Sequence, residues 1–219
     1  MPQDLDALRA AVARLERHEA TQPAPGIALG PDLPHLTLQR GAYHEILVAD
    51  PGAALGFAAC GQGQAGGSSI WISGNPDFWP EGLAAFGVAP GQLVFVEAAS
   101  LKDGLWAFEE SLRSRGVAGA VLVVDGPGPD LVAGRRLQIA AEMGGGIGLL
   151  LMPDTDRLSP SAARSRWRLG AAPGGWDVTL LRGAGGRSGR WQVAWDRECR
   201  ELRPLQPALH HRPAAGHRA

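Results

Sequence analysis

The chain is expected to fold as an α/β domain with a mainly parallel central sheet, helices on its flanks and an antiparallel hairpin near its C-terminal end. Three observations carry that expectation. Short apolar runs at residues 46–48, 92–96 and 146–152 alternate with helical stretches of about ten to fifteen residues, the pattern of right-handed βαβ units. Residues 118–124, Ala-Gly-Ala-Val-Leu-Val-Val, are apolar on both faces and suit the sheet centre. Toward the end the alternation stops, and residues 178–181 and 191–195 flank the glycine-rich stretch 182–190 as two arms of a hairpin.

Taken in order, Leu5, Leu8, Val12 and Leu15 recur at spacings of three and four, so residues 4–19 read as an amphipathic helix capped by Asp4. Its stripe must bury against its own domain or a neighbouring subunit, which makes these four residues a candidate oligomer or partner helix. Residues 1–20 are thus one unit, and 21–34, with Pro23, Pro25, Gly26, Gly30, Pro31 and Pro34, form a linker. The main domain is placed at 35–202. It opens with extended segments at 35–38 and 43–48, a helix over 52–62, and a break at Gly66-Gly67 before the strand 69–72. Pro80 suits the first turn of a short helix closed by Gly87. The strand 92–96 follows, then a helix over 101–115 with Leu105, Phe108 and Leu112 on one face, the central strand, a helix over 131–143 and the strand 146–152. Residues 203–219 carry little structure-forming signal and read as a flexible basic tail.

With 219 residues, 45% hydrophobic and 20% charged, the composition is that of a globular protein. No apolar run approaches the roughly 20 residues of a membrane helix, and Met-Pro-Gln-Asp-Leu-Asp has none of the features of a signal peptide, so a cytoplasmic location is expected. Cys60 and Cys199 lie far apart with no histidine at a zinc-ligand spacing. No metal or cofactor is expected. Net charge is −1, unevenly spread: residues 1–156 carry −9 and residues 157–219 carry +8. Such asymmetry points to a basic region that meets nucleic acid or an acidic partner, or that screens the acidic part of its own fold.

The stretch after the 43–48 strand has the layout of a phosphate loop without its chemistry. A working loop surrounds phosphates with backbone N–H groups and adds a lysine and a magnesium-binding hydroxyl. Here Ala49, Asp50, Pro51, Gly52, Ala53 and Ala54 supply neither, Pro51 removes a donor, and Asp50 sets a negative charge where a phosphate would sit. Asp125, after Val121-Leu122-Val123-Val124, stands as a magnesium-binding aspartate would, with no phosphate loop opposite, and its ordinary role is a turn or cap. Glu45 and His44, as strand neighbours, point to opposite faces and make a poor acid–base pair. Ser159 and Ser161 sit in no nucleophile motif, and Gly183-Ala184-Gly185-Gly186 precedes a strand, not the helix a dinucleotide fingerprint needs. ATPase activity is not expected, and a diverged active site around Glu45 and Asp125 is the remote enzymatic alternative.

Arginines supply the positive signal. Arg164, Arg166 and Arg168 surround Trp167, Arg135 and Arg136 lie on the helix after the central strand, and Arg182, Arg187 and Arg190 ring the hairpin loop. Guanidiniums at mixed spacing with an aromatic can contact phosphates and stack on bases; the bland alternative is a solvated basic face. Trp167, Trp176, Trp191 and Trp195 suit core or interface better than a base platform.

These segments resemble the ImuA family, RecA-like and SulA-related accessory proteins of the bacterial SOS mutasome. The carrying residues are Gly41-Ala42-Tyr43-His44-Glu45-Ile46, Leu83-Ala84-Ala85-Phe86-Gly87-Val88 before Leu93-Val94-Phe95-Val96, and Leu105-Trp106-Ala107-Phe108-Glu109-Glu110-Ser111-Leu112-Arg113. Arg135-Arg136-Leu137-Gln138-Ile139-Ala140-Ala141-Glu142 and Ser161-Ala162-Ala163-Arg164-Ser165-Arg166-Trp167-Arg168 complete a resemblance over about residues 36–196. It implies a RecA-like core without ATPase activity, damage-induced expression, and work in translesion synthesis beside ImuB, an error-prone polymerase of replicative type and RecA. A SulA-like inhibitor that binds the tubulin-like division protein is the rival reading of the same degenerate core.

Overall fold

The computed structural model describes residues 26–33, 35–75 and 80–205. The expected helix over Leu5, Leu8, Val12 and Leu15 lies outside these residues, as does the tail from 206 on. Strands β1 (Ile27–Ala28) and β2 (Thr37–Leu38) make a small antiparallel ribbon. The other nine, β3 (Ala42–Val48), β4 (Ser69–Ser73), β5 (Leu93–Glu97), β6 (Gly119–Val123), β7 (Ile147–Pro153), β8 (Ser165–Ala172), β9 (Gly175–Arg182), β10 (Gly189–Asp196) and β11 (Glu201–Pro204), form one sheet. Its order is β11-β10-β9-β8-β3-β7-β6-β4-β5. From β5 to β8 all neighbours are parallel, and from β8 to β11 all are antiparallel.

Helix α1 (Pro51–Ala65) covers one face of the sheet, and α3 (Leu101–Arg113) and α4 (Leu131–Gly144) cover the other; the short α2 (Pro80–Ala84) leads into the turn at Phe86. Alternation along β3 divides the core accordingly. Ile46 joins Phe57, Leu149 and Trp167 under α1, while Tyr43 and Leu47 join Phe108, Leu137 and Leu150 under α3 and α4. The caps are local. Asp130 accepts the Ala133 N–H at 2.8 Å to start α4, Ser100 accepts that of Asp103 to start α3, and Gly145, at φ 79°, ends α4 in a left-handed turn.

Helix α1 is built from small residues because it is pressed on from outside as well as by the sheet. A Cβ at Gly56 would sit 2.4 Å from the Trp176 ring, and one at Gly63 would sit 2.1 Å from the Phe86 carbonyl. Each glycine costs the helix roughly 1 kcal/mol against alanine, offset here by close approach of the layer above. That layer comes from far along the chain: Trp195 Nε1 donates to the Ala85 carbonyl, Phe86 packs on Trp176 and Trp195, and Leu202 N donates to the Leu29 carbonyl.

Three boundaries differ from the sequence reading. Strand β8 falls where only a basic segment was expected. Residues 203–205, expected in the tail, belong to the sheet: β11 pairs with β10 through Pro204 and Leu205 N donates to Gln192 O. Leu29 and Leu33, expected in the linker, are each 1% exposed and part of the core cluster.

Candidate functional site

At the C-terminal edge of the parallel strands, β3 runs into α1 where a phosphate loop would lie. The N–H groups of Ala49 and Asp50 both donate to the Leu169 carbonyl of β8, at 2.9 and 3.0 Å. Pro51, the first helical residue, has none. Asp50 Oδ1 accepts the Ala53 N–H at 2.8 Å, and its carbonyl accepts that of Ala54 at 3.0 Å. The N–H groups of Ala49, Asp50, Ala53 and Ala54 are thus bonded within the chain, and the Asp50 carboxylate already meets the positive end of the helix dipole. Ala53 and Ala54 are buried, Ala49 and Gly52 exposed. Asp125 lies beyond β6 and is exposed, two strands away from β3 in the sheet.

Glu45, at 2% exposure, is buried on the α4 side of β3 and is held by its neighbours. It accepts hydrogen bonds from Ser161 Oγ and, at 2.6 Å, from Arg166 Nε; Arg166 Nη1 reaches the Ser159 carbonyl. Ser161 Oγ also accepts the Ala163 N–H and sits 3.5 Å from the Tyr43 hydroxyl. Burial, against the hydrogen bond with Ser161, pushes the Tyr43 phenol up to about 12. This knot anchors the crossover between β7 and β8 and does not bring Glu45 to Asp125.

On the opposite side His44, 1% exposed, sits between the Gln39 carbonyl (Nε2, 3.0 Å) and Ser165 Oγ (Nδ1, 2.6 Å), and Trp167 Nε1 donates to the same hydroxyl at 2.7 Å. With that indole as donor, Ser165 gives its own proton to Nδ1, and His44 keeps its proton on Nε2 for the carbonyl. Burial, helped by the Arg164 charge and opposed by the Gln39 bond, lowers the imidazole to about 4. An unfolded histidine titrates near 6.5, so between those values the unfolded chain binds more protons and stability rises with pH. The contribution is complete above about pH 6.5 and is lost as pH falls toward 4, by up to roughly 3 kcal/mol. Urea unfolding at pH 7.0, 5.5 and 4.5 is expected to show this slope, and His44→Gln to reduce it.

The arginines divide into two sets. Arg166 (8% exposed) and Trp167 (1%) point into the protein, so neither belongs to the surface expected for DNA or partners. Arg168 pairs with Asp154 at 2.8 Å, Arg190 with Asp177, Arg136 with Glu109 at 2.6 Å and Arg203 with Asp196 at 2.8 Å. Much of the basic C-terminal third therefore neutralises carboxylates of its own fold. Arg182 donates to the Ala163 carbonyl. Arg135, Arg164 and Arg187 are exposed, and among the described residues none makes an ion pair.

A feature the sequence reading missed lies on the outer face of α3 and α4. Val132 (70% exposed), Ile139 (57%) and Met143 (55%) form one stripe along α4, and Trp106 (65%) stands out from the adjacent α3. The signal was present as the spacing of seven and four between those apolar residues, on a helix whose other face is also apolar.

Compared with solved structures, the chain matches the RadB recombinase with a TM-score of 0.56 and 14% identity, over 77% of this chain and 93% of that one. Together with the mainly parallel sheet and flanking helices, this makes the fold a RecA-like core. No family model matches the chain. Protein ImuA of Caulobacter vibrioides, from strain NA1000 / CB15N and from strain ATCC 19089 / CIP 103742 / CB 15, is 37% identical over 147 residues, covering 58% of this chain. This is a likeness to Protein ImuA over part of both chains. The chain spans 59% of the length of these curated relatives. Among the described residues, no helix is long and apolar enough to cross a membrane.

Proposed function

We propose that this chain is a non-catalytic accessory protein of an ImuA/ImuB-type mutagenesis system, a RecA-like core that assembles partners without hydrolysing nucleotide. The observation that carries the reading is the closure of the α1 N-terminus by Asp50, with the Ala49 and Asp50 amides turned to Leu169. A RecA-like core with a phosphate loop couples nucleotide state to assembly; one whose loop donors are spent internally presents the same binding surface at all times. The identity to Protein ImuA supports an SOS mutagenesis setting beside an ImuB-like protein, and the reading adds the cytoplasm, translesion synthesis, an error-prone DNA polymerase and RecA. Arginines without carboxylate partners supply DNA contact. Incubated with magnesium and ATP, the pure protein is expected to show no turnover above the buffer rate, and magnesium-dependent hydrolysis abolished by Asp50→Ala would sink the reading.

In this reading Trp106 on α3 and the stripe on the adjacent α4 are the protein-binding face, since large apolar side chains this exposed on neighbouring helices suit an interaction surface. Trp106→Glu combined with Ile139→Glu is expected to weaken capture of an ImuB-like partner roughly thirty-fold or more, the effect of losing a tryptophan anchor. The melting temperature should hardly move, because neither side chain is buried. Undiminished capture in a calorimetric titration would remove this face.

A further inference from the structure

An open cleft of about 70 Å³ lies between β2, the start of β8 and the turn joining β9 to β10. Its wall holds two guanidiniums, Arg164 and Arg187, two histidines, the hydroxyls of Thr37 and Ser188, and the Trp191 indole, and among the described residues no acidic side chain lines it. In a chain with 22 carboxylates, where Arg136, Arg166, Arg168, Arg190 and Arg203 each meet one, a surface that gathers arginine and excludes acid is selective for an anion.

Among the described residues, both guanidiniums meet neutral groups and no carboxylate. Arg164 Nε donates to Gln39 Oε1 at 2.6 Å, and Arg187 Nε to the Ala184 carbonyl at 3.1 Å. The turn that carries Arg187 is closed by the Gly183 N–H to the Arg187 carbonyl at 2.8 Å. Trp191 is held as a wall: its ring lies against Gly189, where a Cβ would come within 2.5 Å, and its centroid is 6.3 Å from that of Trp167. The volume matches about two water molecules at ~30 Å³ each. That suits one tetrahedral oxyanion and not a whole nucleoside, which would extend outward along Trp191.

We propose that this cleft binds a nucleotide phosphate between Arg164 and Arg187, with the attached ring system against Trp191. The inference deepens the DNA-contact part of the function proposed above and rests on it for the source of the phosphate, a single-stranded nucleic acid; a free nucleotide shares the same chemistry. It separates two of the exposed arginines from Arg135, which lies on α4 away from the cleft lining.

The test is fluorescence anisotropy of the full chain with a labelled single-stranded oligodeoxynucleotide at several salt concentrations, alongside calorimetric titration with inorganic phosphate and with adenosine monophosphate. Arg164→Ala with Arg187→Ala is expected to weaken oligonucleotide binding at least tenfold and to flatten the logarithmic salt slope by about 1.4, two contacts at roughly 0.7 each. Arg187→Ala alone, in an exposed turn that tolerates it, should give about half of that flattening, so the result does not depend on the double variant folding. Arg203→Ala, which removes a charge that Asp196 already neutralises, should leave both quantities unchanged. Oligonucleotide binding that survives both cleft variants would overturn the cleft and leave DNA contact standing. Binding of adenosine monophosphate or phosphate alone, lost in the variants, would support the cleft and overturn the DNA reading. No binding of any of the three probes would overturn both.

Discussion

Replacing Arg166 by alanine is expected to lower stability by about 3–5 kcal/mol, the cost of removing one partner from a buried ion pair. The carboxylate left behind at Glu45 is 2% exposed and would keep only the Ser161 hydroxyl of its two partners. The Ser159 carbonyl would lose its contact as well, so the crossover between β7 and β8 would loosen along with the strand pair. Urea unfolding of the single variant measures the loss, and a change under 1 kcal/mol would mean that the pair is not sealed from water. Replacing both members, Glu45→Leu with Arg166→Met, should recover most of the stability, because the desolvation penalty disappears with the charges. This separates an ion pair that fixes the loop from one that holds the protein together.

The second large effect is expected at Trp167. Its ring is 1% exposed, packs 5.7 Å from the Phe57 ring and donates to Ser165. Trp167→Ala should cost about 3–5 kcal/mol through the cavity and the lost hydrogen bond. Trp167→Phe keeps most of the packing and should cost much less. If Trp167→Ala instead left the unfolding midpoint unchanged and weakened only nucleic-acid binding, the ring would have to reach the surface after all, and the place given to it in the core would be wrong.

Most of the parallel half was legible in the sequence because its strands are continuous apolar runs bounded by glycine. Ala-Gly-Ala-Val-Leu-Val-Val could hardly be anything but a central strand, and it stands third from the β5 edge with partners on both sides. Strand β8 was hidden by its arginines. Read as charge, Ser165-Arg166-Trp167-Arg168-Leu169 is a basic surface; read by period two, Trp167 and Leu169 face one way and the arginines the other. What no pattern could tell is that Glu45, 121 residues away, meets Arg166. That residues 49–54 carry no lysine and no hydroxyl was legible from residue types alone, while Asp50's work as a cap needed coordinates. The arginines illustrate the limit from the other side: composition counts their charge, but only the fold distinguishes Arg168, spent on Asp154, from Arg164 at the cleft.

The enclosure of α1 also constrains how the molecule comes into being. Gly56 leaves room for Trp176, and Gln64 donates to the Arg200 carbonyl, so the helix waits for residues more than a hundred positions downstream. During synthesis the chain must leave the ribosome almost to residue 205 before that helix can be roofed, and ordering over so long a separation is slow. Until then the hydrophobic side of the nascent half is open to chaperones and to other chains.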